Sequence, residues 1–166
     1  MDVEVDVQHA SNEPHLPDKG MLTRWVNAAL QCQIPLNLET PKSKLQNPKS
    51  VELTIRIVDE TEARQLNEQW RQRPYPTNVL SFPFECPPGI EDIALLGDIV
   101  VCAPLLASEA IEQHKPLHAH WAHLIIHGTL HLLGYDHIDS DQASAMESLE
   151  ICILHNLGYP NPYHPI

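Results

Sequence analysis

The run Val51-Glu52-Leu53-Thr54-Ile55-Arg56-Ile57-Val58 alternates apolar and polar residues over its whole length. Successive strand side chains point to opposite faces, so a period of two that is rich in β-branched residues predicts a strand with one apolar face. Such a face has to be buried against another layer of secondary structure. The chain supplies one immediately. Asp59 follows as an N-cap with Glu62 three residues on, and residues 60–71 read as a helix with Ala63, Leu66 and Trp70 turned inward. A strand that passes straight into an amphipathic helix commits this region to a sheet covered by helices.

The remaining elements extend that pattern. Val3, Val5 and Val7 alternate with polar residues, so residues 2–8 read as a half-buried strand. Residues 18–33 fit a helix with Leu22, Trp25, Val26, Ala29 and Leu30 on its apolar side, followed by an exposed Pro-, Lys- and Asn-rich connection from Pro35 to Pro48. Residues 72–78 are a Pro-broken turn. Residues 78–84 read as extended, with Pro83 favouring a sheet edge or a strand end. Residues 85–95 read as a loop, 97–102 as a short apolar strand, and 104–114 and 117–133 as helices. Asp139 and Gln142 form a capping pattern for a last helix over about 140–156, which Gly158 ends. With 166 residues and no linker or internal repeat, the expectation is one α+β domain over residues 1–166: about four strands in a mixed sheet, packed with about five helices.

The helix over 117–133 carries the chemistry. His127-Gly128-Thr129-Leu130-His131-Leu132-Leu133-Gly134-Tyr135-Asp136-His137 places histidines at i, i+4 and i+10. Residues four apart share a helix face, so His127 and His131 can bind one metal ion together. Gly134 can end the helix in a left-handed conformation, and the turn after it can return His137 as a third ligand. Three neutral imidazoles leave one coordination position open, which distinguishes a catalytic zinc site from a closed structural one. The spacing is that of the metzincin protease signature, giving a zincin-like metal-binding helix, but Gly128 stands where the protease has its general-base glutamate. The site keeps a Lewis acid and lacks the expected proton acceptor, which argues for hydrolysis of something other than a peptide. His123 extends the stripe to i, i+4, i+8, and geometry alone permits it as third ligand. His137 is preferred because eight helical residues span about 12 Å, too far for one ion to reach both ends. Asp136 can orient a ligand imidazole or accept a proton.

Charge and composition bear on the partner. A net charge of −12 argues against general nucleic-acid binding, yet seven of the ten Lys and Arg residues lie between Lys42 and Arg73. Cleavage of a phosphodiester gathers negative charge on phosphoryl oxygens, and a planar guanidinium matches that charge bidentately. Arg71, ending a helix before the Pro-rich turn, is the natural candidate, with Arg73 second. No apolar run is long enough to span a membrane, and the acidic, alternating N-terminus does not read as a signal peptide. The four cysteines form no Cys-x-x-Cys pair and read as core thiols of a cytoplasmic protein.

The histidine run, together with Pro76-Thr77-Asn78-Val79-Leu80-Ser81-Phe82-Pro83, Leu96-Gly97-Asp98-Ile99 and His120-Trp121-Ala122-His123, resembles the YbeY endoribonucleases over roughly residues 50–160. The Lys-rich stretch 41–50 is longer than that family's pattern suggests. The resemblance implies a metal-dependent endoribonuclease specific for single strands. It implies a part in maturation of the 3′ end of small-subunit ribosomal RNA and in ribosome quality control, with RNA and the ribosome or its small subunit as partners. It also implies one zinc ion per chain on His127, His131 and His137, and Arg71 as the family's functional arginine. The missing glutamate then makes sense, because RNA carries its own nucleophile: either the 2′-hydroxyl or a metal-activated water could attack. Two alternatives stay open from sequence, a metal-dependent hydrolase of another substrate such as a peptide, and a noncatalytic assembly factor that zinc merely stabilises.

Overall fold

Among the described residues of the computed structural model, nine elements follow one another: β1 (Asp2–Ala10), α1 (Lys19–Gln31), β2 (Ser50–Val58), α2 (Glu60–Arg71), β3 (Val79–Pro83), β4 (Ile93–Cys102), α3 (Ala103–Glu112), α4 (Leu117–Leu132) and α5 (Ser140–Asn156). The structure describes residues 2–31, 50–84, 93–135 and 139–163, apart from the side chains of residues 93 and 94. The strands form one mixed sheet in the order β1-β2-β4-β3. β1 and β4 run parallel to β2, and β3 pairs antiparallel with β4 at the edge. Pro83, which cannot donate to a ladder, closes that edge strand, as its residue type requires.

The alternation in β2 sorts the two faces. Val51, Leu53, Ile55 and Ile57 point into the larger core with Ile99 and Val101 of β4, where α1, α4 and α5 cover them. Val58, Leu80, Val100 and Cys102 face the other way, against Ala63 of α2. The apolar positions expected for α1 are all buried, and Asp18 caps that helix by accepting the Met21 N–H at 2.8 Å. α4 is buried on nearly every side, as a helix that is apolar almost all round must be. Among the described residues, no helix is long and apolar enough to cross a membrane.

Four local expectations need correcting. β4 starts at Ile93, inside the stretch 85–95 read as a loop, because Gly97 is not a strand start but the centre of an irregularity. The pairing passes from Glu52↔Leu95 to Leu53↔Gly97, leaving Leu96 extra, and Gly97 holds φ at +136°. Asp59 occupies the N-cap position of α2 without a side-chain cap, because its carboxylate accepts the Ser11 hydroxyl and the Asn12 N–H instead. Glu62 does not reach back to it either, since the Arg56 guanidinium grips that carboxylate at 2.5 and 2.9 Å. Finally, Trp70 is not inward but 59% exposed at the rim, its ring edge against Phe82. The inward position belongs to Asn67, 1% exposed, whose amide donates to the Tyr75 carbonyl at 2.8 Å and so ties the 72–78 turn to α2. A buried polar side chain that clasps a carbonyl satisfies both groups, and a periodicity argument that counts only apolar residues misses it.

Candidate metal centre

α4 carries the imidazoles in regular helical register, and the geometry at its C-terminal half is that of a chelate. His127 and His131 bring their Nε2 atoms to 3.1 Å from each other, with ring centroids 4.6 Å apart. Two nitrogens each bound to one zinc at the usual length, at a near-tetrahedral angle, would lie about 3.3 Å apart. The pair could therefore hold such an ion with little adjustment. α4 stops where the sequence predicts, at a Gly134 with φ of +103°. The expected third ligand, His137, and its neighbour Asp136 lie outside the described residues. Among the described residues, no group of three potential ligands comes together.

What orients His127 is a carboxylate from another helix. Glu150 of α5 is fully buried, and its Oε1 lies 2.5 Å from His127 Nδ1. Its Oε2 takes the His123 Nε2 at 3.1 Å and the hydroxyl of Tyr163. Burial alone would push this carboxyl up, but the hydrogen bonds from His123 and His127 outweigh it and bring it down to about 2. Burial and the adjacent Glu150 carboxylate push the Tyr163 phenol up, which keeps it a donor. His123 spends its Nε2 on this bond, while its buried Nδ1 has no hydrogen-bond partner among the described residues.

Sequence reading missed Glu150, although the residue left a trace. Met146, Leu149, Ile153 and Leu154 are the buried stripe of α5, and Glu150 falls within it. A carboxylate among apolar positions at helical spacing signals a buried partner waiting in the fold.

A second carboxylate–imidazole pair sits one heptad earlier on α4. His120, buried, approaches Glu109 Oε1 through Nε2 at 3.1 Å, and Asn78 donates to the same carboxylate at 3.1 and 3.3 Å. Burial pushes Glu109 up, yet these hydrogen bonds hold it below the ordinary carboxylate range. The Asn78 carbonyl meanwhile accepts the Cys102 N–H at 2.9 Å. The network thus ties the start of β3, α3 and α4 together and keeps α4 in place over the sheet.

Gly128 has a packing role that the motif alone could not reveal. A Cβ at this position would lie 3.2 Å from two carbons of Ile99 and 3.3 Å from the Ser81 hydroxyl. The position where a metzincin carries its glutamate therefore presses against the sheet. Gly128→Glu is expected to destabilise the protein by about 2–3 kcal/mol, through overpacking and the forced burial of a carboxylate, and to create no peptidase. Thermal unfolding and a peptide-cleavage assay check both halves of that statement.

Arg71 is the exposed last residue of α2, before a left-handed Gln72 with φ of 56°. Among the described residues it makes no ion pair. α2 covers the sheet face opposite α4, and the structure describes no contact between Arg71 and the histidines. Arg73 reaches the Tyr75 hydroxyl at 3.5 Å, and the exposed rings of Trp70 and Tyr75 flank this basic end of the helix. Of the other cations noted from sequence, Arg56 is committed to Glu62, and Lys42, Lys44 and Lys49 lie outside the described residues.

A family model described as Endoribonuclease YbeY matches residues 21–158. Relatives named Endoribonuclease YbeY in Pseudomonas syringae pathovars syringae and tomato, and in Pseudomonas fluorescens, are each 50% identical over 161 residues. Those alignments cover 97% of this chain and 88%, 88% and 96% of the three relatives. Among solved structures, the solution structure of TM1509 from Thermotoga maritima superposes with a TM-score of 0.51 at 20% identity, covering 96% of this chain and 99% of that one. It has the same fold.

Proposed function

Since the chain belongs to the endoribonuclease YbeY family, we propose that it is an endoribonuclease that cleaves single-stranded RNA at a zinc ion held by His127, His131 and His137. The observation that carries this reading is the pair of Nε2 atoms 3.1 Å apart, one of them backed by a buried carboxylate. A histidine ligand whose other nitrogen donates to a carboxylate is the usual arrangement at protein metal sites. When bound, zinc supplies a Lewis acid toward a phosphoryl oxygen or toward water. We further propose that the natural substrate is ribosomal RNA, at the 3′ end of the small-subunit species. The protein would act there in the cytoplasm, on the ribosome or its small subunit, in maturation and quality control.

The chain's own groups divide the remaining work. His127 and His131 bind and orient, and Gly128 leaves the sheet-facing side of α4 without a base. Asp136, next to His137, is the proposed proton acceptor or imidazole partner. Arg71 is the proposed counter-charge for phosphoryl oxygens. Its guanidinium is exposed and has no carboxylate partner among the described residues, and Trp70 and Tyr75 beside it offer stacking faces for unpaired bases. Arg71→Glu is expected to lower RNA cleavage at least about 100-fold while zinc content stays at the wild-type level. Unaltered cleavage refutes the role.

The reading as a whole is tested with metal-stripped and zinc-reconstituted protein on structured and single-stranded ribosomal RNA, beside a panel of peptides. Zinc-dependent cleavage of the single strands is expected. Products ending in a 2′,3′-cyclic phosphate identify the 2′-hydroxyl as nucleophile, and a 3′-hydroxyl identifies water. Cleavage of peptides, or RNA binding without cleavage in zinc-loaded protein, overturns the proposal in favour of a different hydrolase or a noncatalytic assembly factor.

A further inference from the structure

We propose that Glu150 is the positioning residue of the metal centre, holding His127 in the tautomer whose Nε2 carries the lone pair, and that Tyr163 locks this carboxylate from the C-terminal segment. The inference rests on the zinc reading above and adds two residues that lie outside the histidine motif.

The argument begins with what a buried carboxylate can accept. Glu150 is 0% exposed, and among the described residues no Lys or Arg pairs with it. An ionised carboxylate is an acceptor only, so each group bonded to it must donate. His127 therefore presents Nδ1–H to Oε1 at 2.5 Å, and His123 presents Nε2–H to Oε2 at 3.1 Å. A neutral imidazole has a single N–H. With its proton on Nδ1, His127 necessarily has a lone pair on Nε2, the atom that faces His131. Without Glu150 both tautomers of His127 would be available, and only one of them ligates through Nε2.

Tyr163 completes the arrangement from beyond the end of α5. Its hydroxyl donates to Oε2, and its ring stands edge-on to His123 with centroids 5.3 Å apart. Lys115 pins the segment that delivers it by donating to the Pro162 carbonyl at 2.7 Å. The carboxylate thus has donors on both oxygens from two separate parts of the chain, α4 and the C-terminal segment, which fixes the direction in which it faces His127.

Two measurements test this. The first is the tautomer of His127 in metal-free protein, read from long-range nitrogen–proton couplings in 15N-histidine-labelled samples. Wild type is expected to show the Nδ1–H form, and Glu150→Gln a shift toward Nε2–H. The second is zinc affinity by competition with a chromophoric chelator. Glu150→Gln is expected to weaken it by about 10–100-fold, and Tyr163→Phe by a smaller factor, under about 10-fold. Tyr163 is 42% exposed, so its loss of one hydroxyl leaves the core intact even if Glu150→Gln unfolds. Wild-type zinc affinity in Tyr163→Phe overturns the part assigned to Tyr163, and wild-type affinity in folded Glu150→Gln overturns the part assigned to Glu150. An Nε2–H tautomer in the metal-free wild type also overturns the role of Glu150, without touching the zinc reading. Failure of the wild type to bind zinc overturns that reading itself.

Discussion

His131→Ala is expected to abolish the proposed zinc binding of this protein while leaving it folded. His131 is half-buried at the C-terminal end of α4, where alanine is the best helix former, and its ring stands edge-on to that of His127. Removal of the ring leaves His127 without its chelating partner one turn away. Zinc affinity should fall by more than the roughly 10–100-fold typical of groups that only orient a ligand, and ribonuclease activity should disappear with the metal. Metal analysis after dialysis, paired with circular dichroism, decides it. Full occupancy in a folded His131→Ala protein refutes the assignment. His123→Ala is the matched control: its Nε2 is committed to Glu150, so most of the zinc should remain.

Gly97→Ala is expected to cost about 4 kcal/mol or more, through collision with backbone and strain together. A Cβ there would fall 2.1 Å from the Phe82 carbonyl oxygen and 3.0 Å from the Phe84 nitrogen, both backbone atoms that cannot swing away. The φ of +136° is closed to residues with a Cβ, so the substitution adds strain to collision. The ladder between β3 and β4 would have to open around Pro83↔Gly97. At about 2–4 °C per kcal/mol for a chain of this size, the melting temperature should drop by about 8 °C or more. An unchanged melting curve would mean that the close approach of the two strands is not as described. The consequence reaches the candidate site, because Ser81 of β3 lies under Gly128 of α4.

Most of the fold was legible because its signals are local. The period-two run of β2, the apolar stripe of α1, the Asp139 cap that accepts the Gln142 N–H at 2.8 Å, and the glycine after α4 each depend on residues within a few positions of one another. The same holds for His127 and His131, whose convergence follows from a spacing of four on any straight helix. Where expectation failed, the deciding partner lay far away. Asp59 gives up its cap to Ser11, 48 residues upstream, and Leu96 becomes an extra residue only because β4 must pair with β2 on one side and β3 on the other. Trp70 yields the inward place to Asn67 because a turn eight residues on needs a donor.

The candidate site divides along the same line. Periodicity, caps and the histidine spacing determined by themselves that this chain makes an α+β sheet with a long buried helix bearing two imidazoles on one face. That outcome rests on backbone geometry and short-range sterics, which a linear string encodes directly. Only the tertiary structure decided which group holds His127, and it chose Glu150, 23 residues along and on a different helix. It also decided that Gly128 is packed against Ile99, so the missing base reflects an interior with no room for a side chain. Both depend on which helix faces lie against each other once the core has closed. Burial then makes such choices binding, since a carboxylate without water must find its donors in whatever the fold brings near.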